Sequence, residues 1–262
     1  MDPLLIIKTG TTLASLAGER GDFEDWISAG MGLDRNRVTV IAVFEGEELP
    51  DPKRFAGVVV TGSSAMVSDR ETWSESTAEW LRDAVQCTTP VLGICYGHQL
   101  LAHALGGRVG PNPRGRQIGT VRVRLAEKAG EDALLAEFGG SLRAHTTHAE
   151  AVLELPDAAA RLGSSGGDPN TAFSFGTAAW GVQFHPEFDA HVMRRYIEER
   201  RELLIAEDID VDDRLGAVEE CPDAAAVLRR FCELLNRRTG TLRSRANTRS
   251  ASRRTGEGSS SR

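Results

Sequence analysis

The sequence predicts a three-layer α/β fold: a mostly parallel central sheet with helices on both faces and a small antiparallel β excursion. Three observations carry that reading. Apolar runs of strand length alternate with amphipathic stretches of helical period over residues 4–105. The runs are continuous rather than alternating, as in strands covered on both faces. After Gly106-Gly107 the pattern changes to short strands split by turns.

Leu4-Leu-Ile-Ile7 reads as a buried first strand closed by Lys8-Thr9-Gly10. Phe23, Trp26 and Ile27 stand at i, i+3 and i+4 and predict a helix over 23–30. Val38–Phe44 is β-branched and continuous, which places it inside a sheet, and a strand–helix–strand order implies parallel pairing. Phe55–Val60 gives the third strand, with the polar turn Thr61-Gly62-Ser63-Ser64 at its end. A helix over about 73–86 follows, offering Trp73, Ala78, Trp80, Leu81, Ala84 and Val85 to a core, then a strand at 90–94 and a helix over about 97–105. In such a fold ligands sit beyond the carboxyl ends of the strands, the edge that holds Thr61–Ser64 and Cys95. Further short strands are expected at 108–109, 119–125, 142–147, 152–155, 160–163, 171–175 and 178–184, and helices at 189–206 and 222–236. In Val121, Val123 and Leu125 the alternation indicates one wet face.

Charge is unevenly distributed. Residues 237–262 hold eight of the 31 Lys+Arg and one of the 38 Asp+Glu, so residues 1–236 carry 23 basic against 37 acidic side chains, a net −14. A body this acidic repels phosphate backbones, so no nucleic-acid partner is expected for it. The division is therefore a catalytic domain over 1–236 and a basic tail over 237–262, rich in Arg, Ser, Thr and Gly and too poor in apolar residues to order on its own. The longest apolar runs are far short of a membrane span. Cys87, Cys95, Cys221 and Cys232 form no CxxC pair, and no charged start leads into an apolar core, so the expected location is a reducing cytoplasm.

The chemistry centres on Gly93-Ile-Cys95-Tyr-Gly97-His-Gln99. Glycines at i−2 and i+2 of a cysteine, at the passage from strand to helix, have the spacing of a nucleophile elbow. The free N–H groups and dipole of the helix start favour thiolate over thiol. The plain alternative is a small cysteine packed as a hydrophobe. A cysteine nucleophile needs a base and a group to orient it. Among six histidines His185 stands out, because Trp180–Phe184 is an apolar strand and His185-Pro186-Glu187 its exit. Pro186 favours an extended His185, from which Glu187 at i+2 reaches the imidazole; the alternative is a loop histidine beside a solvated glutamate. His98 and His103 are five apart, not the i, i+4 pair of a helical metal site. His145 and His148 face opposite sides of a strand, and His191 opens a helix, so no metal and no cofactor are expected.

These segments resemble the class I glutamine amidotransferases, particularly the glutaminase domain of GMP synthase and its free-standing relatives, over about residues 4–190. Gly93–Gln99 is similar to the family's nucleophile motif, Gly181-Val-Gln-Phe-His185-Pro-Glu187-Phe to its His-Pro-Glu motif, and Thr61–Ser64 to its oxyanion loop. The resemblance implies a flavodoxin-like amidotransferase fold in which Cys95 is the nucleophile, His185 the base and later acid, and Glu187 its orienting partner. It also implies oxyanion donors at Tyr96 and in Gly62, Ser63 and Ser64, and contacts to the amino-acid end of glutamine from Gln99, Thr147, His148 and Glu150. The chain departs from the family at Thr147-His-Ala-Glu150, where Ser-His-Gly-Asp is more usual, and at Ser63, where proline is commoner. Three functions remain open: a glutaminase serving a separate synthetase, a hydrolase of other γ-glutamyl amides or peptides, and a non-catalytic regulatory module.

Overall fold

The computed structural model describes the backbone of residues 3–254 and the side chains of residues 3–238. Five strands form its parallel half: β1 (Leu4–Lys8), β2 (Val38–Ala42), β3 (Gly57–Val60), β4 (Val91–Ile94) and β11 (Ala179–Val182). The chain's excursion supplies β5 (Arg108–Pro111), β6 (Gln117–Leu125), β7 (Ser141–His148), β8 (Glu150–Glu154), β9 (Ala159–Ser164) and β10 (Ala172–Phe175). The main sheet has the order β2-β1-β3-β4-β11-β10-β9-β6-β7, and β5 pairs with β8 in a separate two-stranded ribbon. The α/β fold class holds. The antiparallel excursion is larger than the sequence suggested, because β10, β9, β6 and β7 extend the central sheet instead of standing apart from it.

Alternate side chains of the inner strands enter opposite layers, as period-2 geometry requires. Leu4, Ile6, Val59, Leu92 and Ile94 pack on one face with α2 (Phe23–Met31) and α8 (Pro222–Arg254). Leu5, Ile7, Val58, Val60 and Val91 pack on the other with α3 (Thr72–Gln86) and α4 (Tyr96–Ala104). Each such side chain, fully buried, contributes about 1.5–3 kcal/mol. Helix α2 starts where it does because Asp22 and Asp25 form a reciprocal capping box, and ends at Gly32 with φ 66°.

Two expectations need correction. Strand β2 lies at the sheet edge, bonded only to β1, with Val40 41% exposed; a continuous β-branched run does not distinguish an inner from an edge strand. The helix expected over 189–206 breaks at Arg200 into α5 (Ala190–Glu199) and α6 (Arg201–Ala206). Two helices had no anticipating signal, α1 (Ala14–Arg20) and α7 (Val211–Gly216), both short. The boundary drawn at 237 falls inside α8, whose backbone runs on to Arg254. Extending a nucleated helix costs little, and arginine is a good helix former. Residues 255–262 of that tail lie outside the described residues. Among the described residues no helix is long and apolar enough to cross a membrane.

The loop from β9 to β10 braces the excursion and buries a charge. Ser165 Oγ bonds the Gln117 amide and receives the Asp168 N–H at 3.1 Å. The Asp168 side chain accepts from Asn170 N at 2.8 Å through Oδ1, while Oδ2 is buried without a partner. Burial pushes this carboxyl up to about 6, against the opposing pull of the Asn170 N–H and of Arg114. The folded chain thus holds protons at Asp168 more tightly than the unfolded one. The resulting stability is present below about pH 4 and lost as pH rises through about 6. Asp168→Asn keeps the acceptor and removes the charge, so it is expected to raise the melting temperature at pH 7.5, by a free energy on the order of 2–3 kcal/mol. Thermal melts at several pH values should show the gain shrinking by pH 5; a gain independent of pH would refute a charged Asp168 as its source.

Candidate active site

Cys95 occupies the turn from β4 to α4 with φ 51° and ψ −102°, backbone values that a non-glycine residue keeps only when its surroundings hold it there. Its N–H donates to Val182 O of β11 at 2.9 Å, and its carbonyl accepts from Gln99 N at 3.1 Å. A Cβ on Gly93 would lie 2.3 Å from Gly97 O, and one on Gly97 would lie 2.4 Å from Val60 O. Strand, turn and helix therefore approach this closely only because both flanking residues lack a side chain. Among the described residues no protein acceptor takes the N–H of Tyr96, Ser63 or Ser64. The 61–64 loop is fixed from below: Thr9 N donates to Thr61 Oγ1 at 3.0 Å, and the Thr9 hydroxyl lies 3.0 and 3.1 Å from the Thr61 and Gly62 carbonyls.

His185 is brought to the same edge by the exit from β11, where its N–H donates to His145 O at 2.8 Å. Its Nδ1 donates to Glu187 Oε1 at 2.7 Å, and the Glu187 side chain is wholly buried. This leaves Nε2, which has no protein nitrogen or oxygen partner, for the Cys95 side. The ring stacks on Phe188 at 4.1 Å between centroids, and Phe23 lies 6.3 Å from both rings, which together fix its plane. Burial by itself would push the imidazole down, but the neighbouring Glu187 carboxylate and Cys95 sulfur outweigh it and raise His185 above the ordinary histidine value. The site thus favours an imidazolium beside the Cys95 sulfur. Gly62 closes against it: a Cβ there would sit 3.0 Å from His185 Cε1.

The residues assigned to the amino-acid end of glutamine surround a cavity of about 200 Å³ that opens on Cys95 and is lined by Ser63, Ser64, Tyr96, Gln99, Thr147, His148 and Glu150. Their hydrogen bonds are less free than the resemblance implied. Glu150 Oε2 accepts from Val67 N at 2.9 Å and Ser68 N at 3.3 Å, which ties it to the loop above, while Oε1 is buried and unpartnered. Gln99 Nε2 donates to Glu150 O at 2.9 Å and Gln183 Oε1 at 3.0 Å. His148 Nδ1 donates to Glu150 O at 2.6 Å, and burial pushes the ring down to about 4, so it is neutral near pH 7. His145 turns the other way, to Thr120 Oγ1 at 3.2 Å. His103 meets Glu75, and His191 meets Glu19. No group of His, Cys, Asp and Glu fit to hold a metal occurs among the described residues, and the four cysteines are free thiols.

Sequence reasoning missed Arg200, Arg116 and the 11–14 loop. Arg116 and Arg200 line the cavity over Cys95, and Thr11, Thr12, Leu13, Ala14, Tyr196 and Arg200 line a second cavity beside it. Arg200 sits in a run of charged residues typical of a solvated helix face. Its only signal is the helix break, visible once the structure is known.

A parallel sheet with a strained cysteine at its carboxyl edge and a buried His–Glu pair facing it defines the class of protein. The sequence model of the family described as glutamine amidotransferase class-I matches residues 28–202, and the chain belongs to that family. It is 37% identical to a GMP synthase [glutamine-hydrolyzing] of Aeropyrum pernix over 54% of this chain, spanning only 25% of that protein's length. It is 29% identical to gamma-glutamyl peptidase 5 of Arabidopsis thaliana over 76% of this chain and 80% of that one. A solved glutamine amidotransferase of Thermotoga maritima superposes with a TM-score of 0.70 at 23% identity, covering 90% of this chain and 98% of that one, and shows the fold.

The close approach at the turn makes a test. Gly97→Ala is expected to destabilise the protein by about 1–3 kcal/mol or more, since the intruding methyl meets Val60 backbone. Gly18→Ala in α1, where a Cβ meets nothing within 4 Å, is expected to stabilise by about 0.5–1 kcal/mol. Urea titrations of the two variants should shift the midpoint in opposite directions.

Proposed function

We propose that the protein hydrolyses the side-chain amide of glutamine through a γ-glutamyl thioester on Cys95. The observation that carries the reading is Cys95 held in a strained turn, with a His185 imidazole whose far nitrogen is bonded to buried Glu187. The Cys95 thiolate adds to the amide carbon. The resulting oxyanion meets the unclaimed N–H groups of Tyr96, Ser63 and Ser64. His185 gives its proton to the leaving nitrogen, ammonia departs and the thioester remains. Water, deprotonated by His185, then attacks the thioester; the thiolate leaves and glutamate is released. Glu187 keeps the ring oriented and favours its charged form. In this reading the ammonia goes to an acceptor on a separate synthetase, and the free thiol chemistry fits the cytoplasm.

A second reading, hydrolysis of γ-glutamyl peptides or amides by the same trio, is favoured by the cavity of about 300 Å³ on the His185 side of the cysteine. Glutamine needs no such space for its leaving ammonia. A purely regulatory role leaves the assembled trio without a purpose.

Pure protein given glutamine is expected to release glutamate and ammonia in equal amounts, and Cys95→Ala to release neither. Glu187→Gln is expected to lower kcat about 100-fold or more. Because Glu187 raises His185, the same variant should lose activity at a lower pH on the alkaline side than the wild type. Turnover that survives Cys95→Ala would remove the thioester route.

A further inference from the structure

Two cavities meet at Cys95, and they share Ser63, Ser64, Thr147 and Arg200 as common walls. The first contains Gln99 and Glu150 and suits the glutamyl portion of a substrate. The second contains His185, which on the proposed mechanism hands its proton to the departing nitrogen, so it lies on the leaving-group side. Its volume of about 300 Å³ exceeds the roughly 200 Å³ of the glutamyl-side cavity. Ammonia has no use for it; an amino acid does.

The electrostatics of the shared wall are specific. Arg116, on the glutamyl side, is neutralised by a two-point pair with Glu207, Nε to Oε2 at 2.8 Å and Nη2 to Oε1 at 3.0 Å. Arg200 has no carboxylate. Its Nη1 donates to Thr147 Oγ1 at 2.6 Å, and its guanidinium lies 4.8 Å from the Tyr196 ring centroid, a cation–π contact. Tyr196 is itself anchored by Thr12 at 2.8 Å and packs on Phe188, the ring that backs His185. Burial disfavours the charged form of Arg200, a cost that an incoming anion would offset. A guanidinium fixed through one arm keeps the rest of its planar fork for a two-point bond to a carboxylate. It stands in the break between α5 and α6 and lines both cavities at the cysteine.

Building on the second reading above, we propose that Arg200 binds the α-carboxylate of the amino acid that leaves, so that the preferred substrates are γ-glutamyl dipeptides with a free C-terminal carboxylate. The reaction splits the γ-glutamyl C–N bond: the thioester forms on Cys95, the amino acid departs as the amine protonated by His185, and water releases glutamate. Arg200 touches only the leaving group and is consumed in no step. It sets specificity.

The test compares γ-glutamylalanine with its C-terminal amide. Wild type should cleave the free acid with a kcat/KM at least tenfold above that of the amide. Arg200→Met should lose most of that ratio, and Arg200→Lys, which keeps the charge without the fork, should fall between them. Melting curves run alongside show whether each variant is folded. An acid-to-amide ratio near one in the wild type, or an equal loss on both peptides and on glutamine in Arg200→Met, overturns the proposal, the latter by assigning Arg200 to the glutamyl carboxylate. Calorimetry on the Cys95→Ala protein, with and without Arg200→Met, reads the same preference as binding. Tighter binding of the acid that depends on Arg200, without turnover by the wild type, would overturn the substrate assignment and keep only the contact between Arg200 and the carboxylate. Glutamine turnover with no discrimination between the peptides would do the reverse.

Discussion

Everything at the site depends on the backbone of Cys95 being held at φ 51° between β4 and α4. A non-glycine residue in such a conformation costs about 1–3 kcal/mol. The cost is met by burial beneath it: Val59, Val60, Leu92 and Ile94 are all fully inaccessible, and each alone is worth a similar amount. The cysteine is strained because the sheet below it is not. With Gly93 and Gly97 allowing the approach, one turn presents the sulfur, the free Tyr96 N–H and, one turn along the helix, Gln99.

The two halves of the sheet divide the work. The parallel half supplies the elbow, the 61–64 loop and the exit that carries His185. The antiparallel half folds back over it, so that β7 and the start of β8 place Thr147, His148 and Glu150 around the cavity. Beyond the β10–β11 ladder that joins the halves, a further backbone bond links them at the site, from His185 N to His145 O at 2.8 Å. His185 is thereby fixed through its backbone, through the Phe188 stack and through Glu187.

Much of this was legible in the sequence, and the reasons differ by element. The inner strands were readable because burial on both faces leaves an unmistakable apolar run; β2 was misplaced because an edge strand can carry the same run. The elbow was readable because its geometry demands glycine at two fixed offsets. The His185–Glu187 pair was readable from its His-Pro-Glu spacing, but not its geometry: the chain turns at Pro186 and Glu187, with Phe188 N donating to His185 O at 3.4 Å, instead of leaving the strand extended. The short helices α1 and α7 left too few turns for a period, and the break at Arg200 has no local cause: no glycine or proline stands there, and the bonds to Thr147 and Tyr196 that accompany it come from remote segments. Glu150 shows a different limit. Its place beside the cavity followed from the resemblance, but its bonds to Val67 N and Ser68 N, which lie 83 and 82 residues away in sequence, did not.

Charge at long and short range work against each other in this protein. Residues 1–236 carry a net −14, which disfavours the approach of an anion. At physiological salt that repulsion is screened beyond about 8 Å, so it slows encounter without deciding what stays bound. Inside the cleft the balance is set by nearby groups. Glu207 silences Arg116, Glu187 is committed to His185, and Arg200 alone among the arginines lining the cleft is left without a carboxylate. On the proposal above, selection of an anionic substrate comes from one short-range contact rather than from the overall field, at Arg200 in the walls shared by both cavities at Cys95.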